Sequence, residues 1–252
     1  MKKIAIVTGA SSGMGREFIL QIVKKYPVLE EIWVIARRED RLIALKEQIK
    51  DVEIRPFVFD LRNNDSFEKL KVTLQKEKPR VGILANSSGI GISGNFETLS
   101  EEEIVNMIEL NCTALSRMTY MVLPYMEKGA HIFQFASSAA FCPQPGFSIY
   151  AATKAYVLSF TMALRQEVAA RGIKVTTICP GPVKTEFFET AYQHQEMKFY
   201  KKFVMADSKK VVKKALEDGK RNKAVSVYGF TMKVMRILCA ILPEELIIKF
   251  IG

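Results

Sequence analysis

Short apolar runs of strand length alternate along this chain with longer segments whose apolar residues recur every three to four positions. Runs of the first kind lie at 3–8 (KIAIVT), 31–36 (EIWVIA), 54–59 (IRPFVF), 81–85 (VGILA), 130–136 (AHIFQFA), 173–179 (IKVTTIC) and 224–228 (AVSVY). They are near-continuous in apolar character, as strands covered on both faces must be. Segments at 14–25, 40–50, 65–77, 101–127, 149–170 and 208–218 read as helices. Ser100-Glu-Glu-Glu103 has the form of a capping box opening the fourth of these. The alternation predicts an α/β fold built as one doubly wound, seven-stranded parallel sheet with helices on both faces. No internal repeat or low-complexity segment interrupts it.

At 252 residues and 48% hydrophobic content, the chain is long enough for a substantial core and suits a single domain over 1–252. Met1-Lys2-Lys3 precedes only a short apolar run, Ile4 to Val7, so no signal peptide is expected. The uncharged apolar stretches, Ile237 to Pro243 among them, fall far short of the roughly 20 residues that span a bilayer. Cys112, Cys142, Cys179 and Cys239 are scattered, and the histidines are His131 and His194, which suggests neither a disulfide framework nor a metal site. Free thiols in a reducing cytoplasm are the simplest reading.

A net charge of +10 raises nucleic acid or a membrane surface as partners. The lysines, however, occur as helix-surface pairs (Lys24-Lys25, Lys201-Lys202, Lys209-Lys210, Lys213-Lys214) without interleaved base-stacking aromatics. A solvated basic surface is therefore favoured over nucleic-acid binding. Such a surface also steers an anionic cofactor or substrate towards a cleft.

Two stretches carry chemistry. The first strand runs into Thr8-Gly9-Ala10-Ser11-Ser12-Gly13-Met14-Gly15 and then a helix, where glycines permit a tight turn and close approach to a pyrophosphate at the helix N-terminus. The second strand ends in Arg37-Arg38, and arginine there suits a 2′-phosphate, so NADP is favoured over NAD. The competing reading leaves both arginines solvated, with Glu39 or Asp40 reaching the ribose. In the other stretch, Tyr150-x-x-x-Lys154 sets a phenol and an ammonium one turn apart on one helical face. A fixed positive charge would pull the phenol's pKa of about 10 towards neutrality. Ser137, thirteen residues upstream, could donate a hydrogen bond to the same reacting oxygen. A Tyr and a Lys four apart also arise by chance on many helices, so the pair gains weight only from the rest of the chain.

With these motifs in hand, the sequence resembles the short-chain dehydrogenase/reductase family from Lys3 to about Thr185, particularly its hydroxysteroid dehydrogenase-like and ketoacyl reductase-like members. Besides TGASSGMG and YAATK, the resemblance includes Asp60-Leu61, Asn86-Ser-Ser-Gly89, Asn111 and Pro180-Gly-Pro-Val-Lys-Thr185. It implies a Rossmann-type fold and a catalytic set of Asn111, Ser137, Tyr150 and Lys154. Cofactor contacts would come from Gly9, Ser11, Ser12, Gly13, Met14, Gly15, Arg37, Arg38, Asp60, Leu61, Asn86, Ser87, Gly89, Tyr150, Lys154, Pro180, Gly181, Val183 and Thr185. Asp60 would face the adenine, Asn86 and Gly89 would flank the cofactor, and Val183 and Thr185 would hold the nicotinamide amide. Lys154 would lower the Tyr150 pKa and bind the nicotinamide ribose, and Asn111 would hold a water relaying protons to Lys154. Ser87 and Ser88 stand where the family usually has asparagine and alanine. The spacing of thirteen selects Ser137 over Ser138.

Beyond Thr185 the motifs stop. Residues 186–206 carry Phe187, Phe188, Tyr192, Met197, Phe199, Tyr200, Phe203 and Met205, which reads either as a lid over a bulky apolar substrate or as the core face of one or two helices. Residues 230–252 form an apolar extension split by Pro243. A pocket wall, a subunit interface and a peripheral membrane contact compete for it. The resemblance also implies a homodimer or homotetramer formed through the helices that carry Asn111 and Tyr150. The sequence thus predicts a cytoplasmic NADP(H)-dependent oxidoreductase acting on a hydroxysteroid or bile acid. The alternatives are a 3-oxoacyl or long-chain carbonyl reductase and, in another class, a catalytically silent nucleotide-binding regulatory protein.

Overall fold

The computed structural model of the chain describes residues 2–192, 194 and 205–251. Seven parallel strands form one sheet: β1 (Lys3–Thr8), β2 (Glu31–Ala36), β3 (Glu53–Val58), β4 (Arg80–Asn86), β5 (His131–Phe135), β6 (Lys174–Ile178) and β7 (Val225–Ser226). Their order across the sheet is β3-β2-β1-β4-β5-β6-β7. The order reverses direction between β1 and β4, so the C-terminal ends of these two strands open a crevice.

Between the strands run α1 (Gly13–Lys25), α2 (Glu39–Gln48), α3 (Asn64–Glu77), α4 (Glu101–Ile108), α5 (Leu115–Val122) and α6 (Ser148–Glu167). They are followed by α7 (Phe187–Ala191), α8 (Ser208–Lys220), α9 (Phe230–Ile241) and α10 (Glu244–Ile251). Alternate residues of β1 feed two cores. Ala5 and Val7 pack with Phe18, Ile19 and Ile22 of α1 and with Val212 and Leu216 of α8. Ile4 and Ile6 pack with Phe67, Leu70 and Leu74 of α3 and with Met118 and Val122 of α5. The period of two along a strand makes one sheet serve both layers. Each fully buried phenylalanine in them, Phe18 and Phe67 included, contributes about 2–3 kcal/mol.

Ser100 and Glu103 form the expected capping box, with Glu103 N–H donating to Ser100 Oγ at 3.2 Å and Ser100 N–H to Glu103 Oε2 at 2.9 Å. The helix it opens is not the uniform 101–127 segment that periodicity suggested. Residues Glu109–Ala114 form a π-helical turn containing Asn111, and α5 gives way at Leu123–Tyr125 to a 3-10 turn holding Pro124, which lacks the N–H needed to continue an α-helix. Likewise α6 stops at Glu167 rather than 170, with Gly172 in the left-handed region (φ +69°) completing the turn into β6. The seventh strand is shorter than 224–228, pairing with β6 only at Thr177–Val225 and Ile178–Ser226. Buried Asp218 fastens it to α8 by accepting from Ser226 Oγ at 2.9 Å and pairing with Lys214 and Lys223.

Among the described residues no helix is long and apolar enough to cross a membrane.

Candidate active site

The C-terminal ends of β1, β4, β5 and β6 converge on one cavity of about 890 Å³. At its floor, Gly9 (φ +67°) and Gly13 (φ +53°) take left-handed backbone that glycine adopts without strain. A Cβ on Gly15 would lie 2.2 Å from the carbonyl oxygen of Gly9, and one on Gly9 would lie 2.7 Å from that of Ser87. The turn is thus closed in on itself as tightly as backbone permits. Thr8 ties it to β4, its Oγ1 accepting from the N–H groups of Ser87 and Ser88, each at 3.1 Å. Ser12 stands at the N-cap of α1 without capping it, and no acidic side chain lies in the first turn. The helix therefore presents open N–H groups and positive dipole to the cavity, a fit for a pyrophosphate.

Arginines that follow β2 make the rim of this floor cationic. Arg38 is half-buried and donates to Ser11 Oγ (3.1 Å), Ser12 Oγ (2.7 Å) and Glu186 Oε2 (2.8 Å). Arg37 is exposed and also lines the cavity, whereas Glu39 and Asp40 are exposed residues in the first turn of α2. Asp60 lines the cavity beside Leu61, and its carboxylate is held by Arg62 Nη2 at 2.6 Å, which keeps its pKa below the usual range.

At the other end, β5 and α6 bring together the hydroxyl, phenol and ammonium that the sequence singled out. Ser137 follows β5 and lines the cavity beside the buried Tyr150 phenol, whose pKa it lowers; its Oγ accepts from Ala139 N–H at 3.2 Å. That contact distinguishes it from Ser138, whose N–H donates to Pro180 O at 2.7 Å. Lys154 is buried one turn along α6, its Nζ 5.6 Å from the Tyr150 ring centre and 3.0 Å from Phe135 O, to which it donates. Tyr150 stacks on Phe147 (centroids 4.3 Å apart) and meets Phe187 of α7 at 5.5 Å.

In the free chain burial, not the Lys154 charge, dominates the Tyr150 pKa. Burial penalises the charged form of each group. It pushes the phenol up, with the Ser137 hydroxyl opposing it only in part, and it pulls the ammonium down to about 8. The free site at neutral pH thus pairs a protonated phenol with a mostly charged lysine.

Two asparagines sit differently from the cavity-facing residues. The Asn86 side chain is buried away from the cavity lining, donating to Thr119 Oγ1 (3.1 Å) and Gln134 Oε1 (2.9 Å), so it braces β4 on β5 rather than flanking the cleft. Asn111 accepts from Ile90 N–H at 2.9 Å and donates to Ile90 O at 2.8 Å and Thr153 Oγ1 at 3.0 Å. The π turn aims it across to the loop after β4, where a Cβ on Gly89 would stand 3.1 Å from Asn111 Oδ1 and 3.2 Å from Lys154 Nζ. Ser87, Gly89, Met14, Pro180, Gly181, Val183 and Thr185 all line the cavity.

The far wall is apolar. Phe147, Phe187 and Tyr192 approach from one side, and Met232, Met235, Leu238 and Leu242 from the C-terminal extension. Met197, Phe199, Tyr200 and Phe203 of the expected lid lie outside the described residues. The segment's two ends are joined, Ala206 N–H donating to Pro182 O at 2.8 Å and Lys184 N–H to Ala206 O at 3.0 Å. Gly91, Thr153, Arg41 and Glu186 were not singled out from the sequence. Arg41 had a signal in its position one helical turn past Arg38, and Glu186 in following Thr185 directly.

A doubly wound parallel sheet with a glycine-bound anion cradle at its switch point and a Ser-Tyr-Lys group beside it defines a dinucleotide-binding oxidoreductase. The chain belongs to the short chain dehydrogenase family, whose model matches residues 3–196. It is 32% identical over 208 residues to the NADP-dependent 3-hydroxy acid dehydrogenase YdfG of Escherichia coli K12, covering 79% of this chain and 81% of that protein. It is 31% identical over 195 residues to sulfoacetaldehyde reductase 2 of Chromohalobacter salexigens, covering 74% and 75%. A short-chain dehydrogenase from Sphingobium yanoikuyae, solved in complex with NADPH, superposes with a TM-score of 0.80 at 26% identity, over 96% of this chain and 97% of that one.

Proposed function

We propose that this chain is an NADP(H)-dependent oxidoreductase interconverting a secondary alcohol and a ketone on a bulky apolar skeleton, with a hydroxysteroid or bile acid as its substrate class. The observation that carries the reading is the single cavity in which the Ser137 and Tyr150 hydroxyls meet an apolar wall of Phe147, Phe187, Tyr192, Met235, Leu238 and Leu242. A ring skeleton buries against such a wall, and a carbonyl is fixed by the two hydroxyls. The last three of these residues lie beyond the family match.

The nicotinamide, when bound, supplies or accepts the hydride. Arg37 and Arg38 would take the 2′-phosphate, the glycine turn the pyrophosphate, and Val183 and Thr185 the carboxamide. The cavity-lining arginines beside exposed Glu39 and Asp40 support NADP, as does the NADPH bound to the Sphingobium relative. Tyr150 gives its proton to the carbonyl oxygen, Ser137 donates a hydrogen bond to that oxygen, and Lys154 supplies positive charge that stabilises the phenolate left behind. Asn111 holds the Ile90 loop against Lys154 and so fixes the ammonium. Homo-oligomerisation through α4, α5 and α6 belongs to the same reading, supported by exposed Val105, Ile108, Tyr120, Tyr156 and Met162 on those helices.

A second reading, reduction of a 3-oxoacyl or other long-chain carbonyl compound, draws on the name of the Escherichia coli relative. Initial rates of NADPH oxidation across oxo-steroids, oxo-bile acids and 3-oxoacyl thioesters separate the two. Saturable turnover at one ring position supports the first. Turnover of the thioesters alone replaces it with the second, and turnover of neither refutes the bulky-substrate assignment.

A further inference from the structure

Glu186 is the one residue between Thr185, which lines the nicotinamide end of the cavity, and α7, whose Phe187 packs on Tyr150. Its carboxylate nevertheless points to the opposite end. Oε2 accepts from Arg38 at 2.8 Å and Oε1 accepts from Arg41, so one carboxylate is shared by two guanidiniums, from the N-cap and the first turn of α2. The other face of Arg38 is spent on the Ser11 and Ser12 hydroxyls of the glycine turn. The pair holds the Glu186 carboxyl below the usual carboxylate range, so it is charged whenever the protein is near neutrality. Two arginines, two serine hydroxyls and a carboxylate between them form a built oxyanion site, with the donor set that a phosphate monoester would take.

We propose that Glu186 is an internal competitor for the cofactor's 2′-phosphate. In the free chain its carboxylate occupies Arg38 and Arg41; a 2′-phosphorylated dinucleotide must exchange phosphate for carboxylate on the same guanidiniums. The inference rests on the NADP reading above and adds to it a cost that NADH, lacking the phosphate, does not meet.

Both pairs are about two-fifths exposed, so each is worth little by itself. Removing the competing charge should tighten NADPH by about three- to tenfold, while NADH changes much less. The test is a fluorescence titration of NADPH and of NADH into wild type, Glu186→Gln and Arg38→Ala, with thermal unfolding of each apoprotein to verify folding. Glu186→Gln with tighter NADPH and a raised NADPH/NADH preference supports the proposal. If Glu186→Gln weakens NADPH or leaves it unchanged while wild type prefers NADPH and Arg38→Ala abolishes that preference, the cofactor reading stands and the competition is refuted. If wild type binds both dinucleotides alike and Arg38→Ala alters neither, both fail.

Discussion

The aromatic stack around Tyr150 leaves no room behind it, and Gly91 is the residue that tests this. A Cβ added at Gly91 would lie 2.7 Å from Phe187 Cζ, 2.7 Å from Tyr150 Cδ2 and 3.0 Å from Phe147 Cζ. Carbon atoms prefer separations of about 3.5–4.0 Å, so Gly91→Ala must displace the Tyr150 ring and its neighbour Phe187 by roughly 1 Å. Overpacking of this kind costs about 1–3 kcal/mol, which for a chain of this length lowers Tm by about 3–10 °C. A 1 Å misplacement of the proton donor should lower kcat about a hundredfold. The dinucleotide cradle is built from other residues, so NADPH affinity should stay near wild type. Steady-state kinetics with the best ketone of the panel, thermal unfolding and an NADPH titration read the three quantities separately. A Gly91→Ala protein with wild-type kcat and Tm would refute the claim that the stack holds Tyr150 in place.

Lys154→Met should abolish turnover yet stabilise the apoprotein by about 1–2 kcal/mol, because a buried ammonium with its pKa pulled down to about 8 costs stability at pH 7 that exceeds the hydrogen bond to Phe135 O. Denaturant titration of the two proteins at pH 7 measures the gain, and a loss of stability would contradict it. The same lowered pKa predicts an alkaline limb near pH 8 in the free enzyme's kcat/KM for ketone reduction, where Lys154 loses its charge; a profile flat from pH 7 to 9 would contradict it. His131 is buried against Phe133 with its pKa lowered to about 3, so the unfolded chain binds the extra proton first as pH falls below 6.5. Stability contributed by the neutral ring is intact above pH 6.5 and lost towards pH 3, about 2 kcal/mol of it by pH 5. His131→Gln should lack that part of the acid loss in paired urea titrations at pH 7 and 5.

Strands and most helices were legible because a parallel sheet demands runs apolar on both faces, and β1, β2, β4, β5 and β6 supply them, while the edge strand β3 is only partly buried. The π turn at Glu109–Ala114 was not, since one extra residue in a turn leaves the spacing of apolar positions nearly undisturbed. Pro124 did carry a signal that the helix ends before 127. Tyr150, Lys154 and Ser137 were legible as a group from spacing, but their burial was not, and burial reverses the expected direction for the phenol. Asn86 illustrates the limit of resemblance: its partner Gln134 is set by the β4–β5 register, where the two residues are paired. Glu186 meets Arg38 across 148 positions, a contact visible only once β6 lies three strands from β1.

Tyr150 is proposed as the proton donor of a carbonyl reduction. Tyr150→Phe keeps the ring stack and deletes only the hydroxyl, so single-turnover reduction of the best ketone with NADPH is the most direct test. The predicted result is a rate lowered by about 10³-fold or more, with NADPH affinity and Tm within error of wild type. A Tyr150→Phe protein that reduces the ketone at the native rate would contradict the claim.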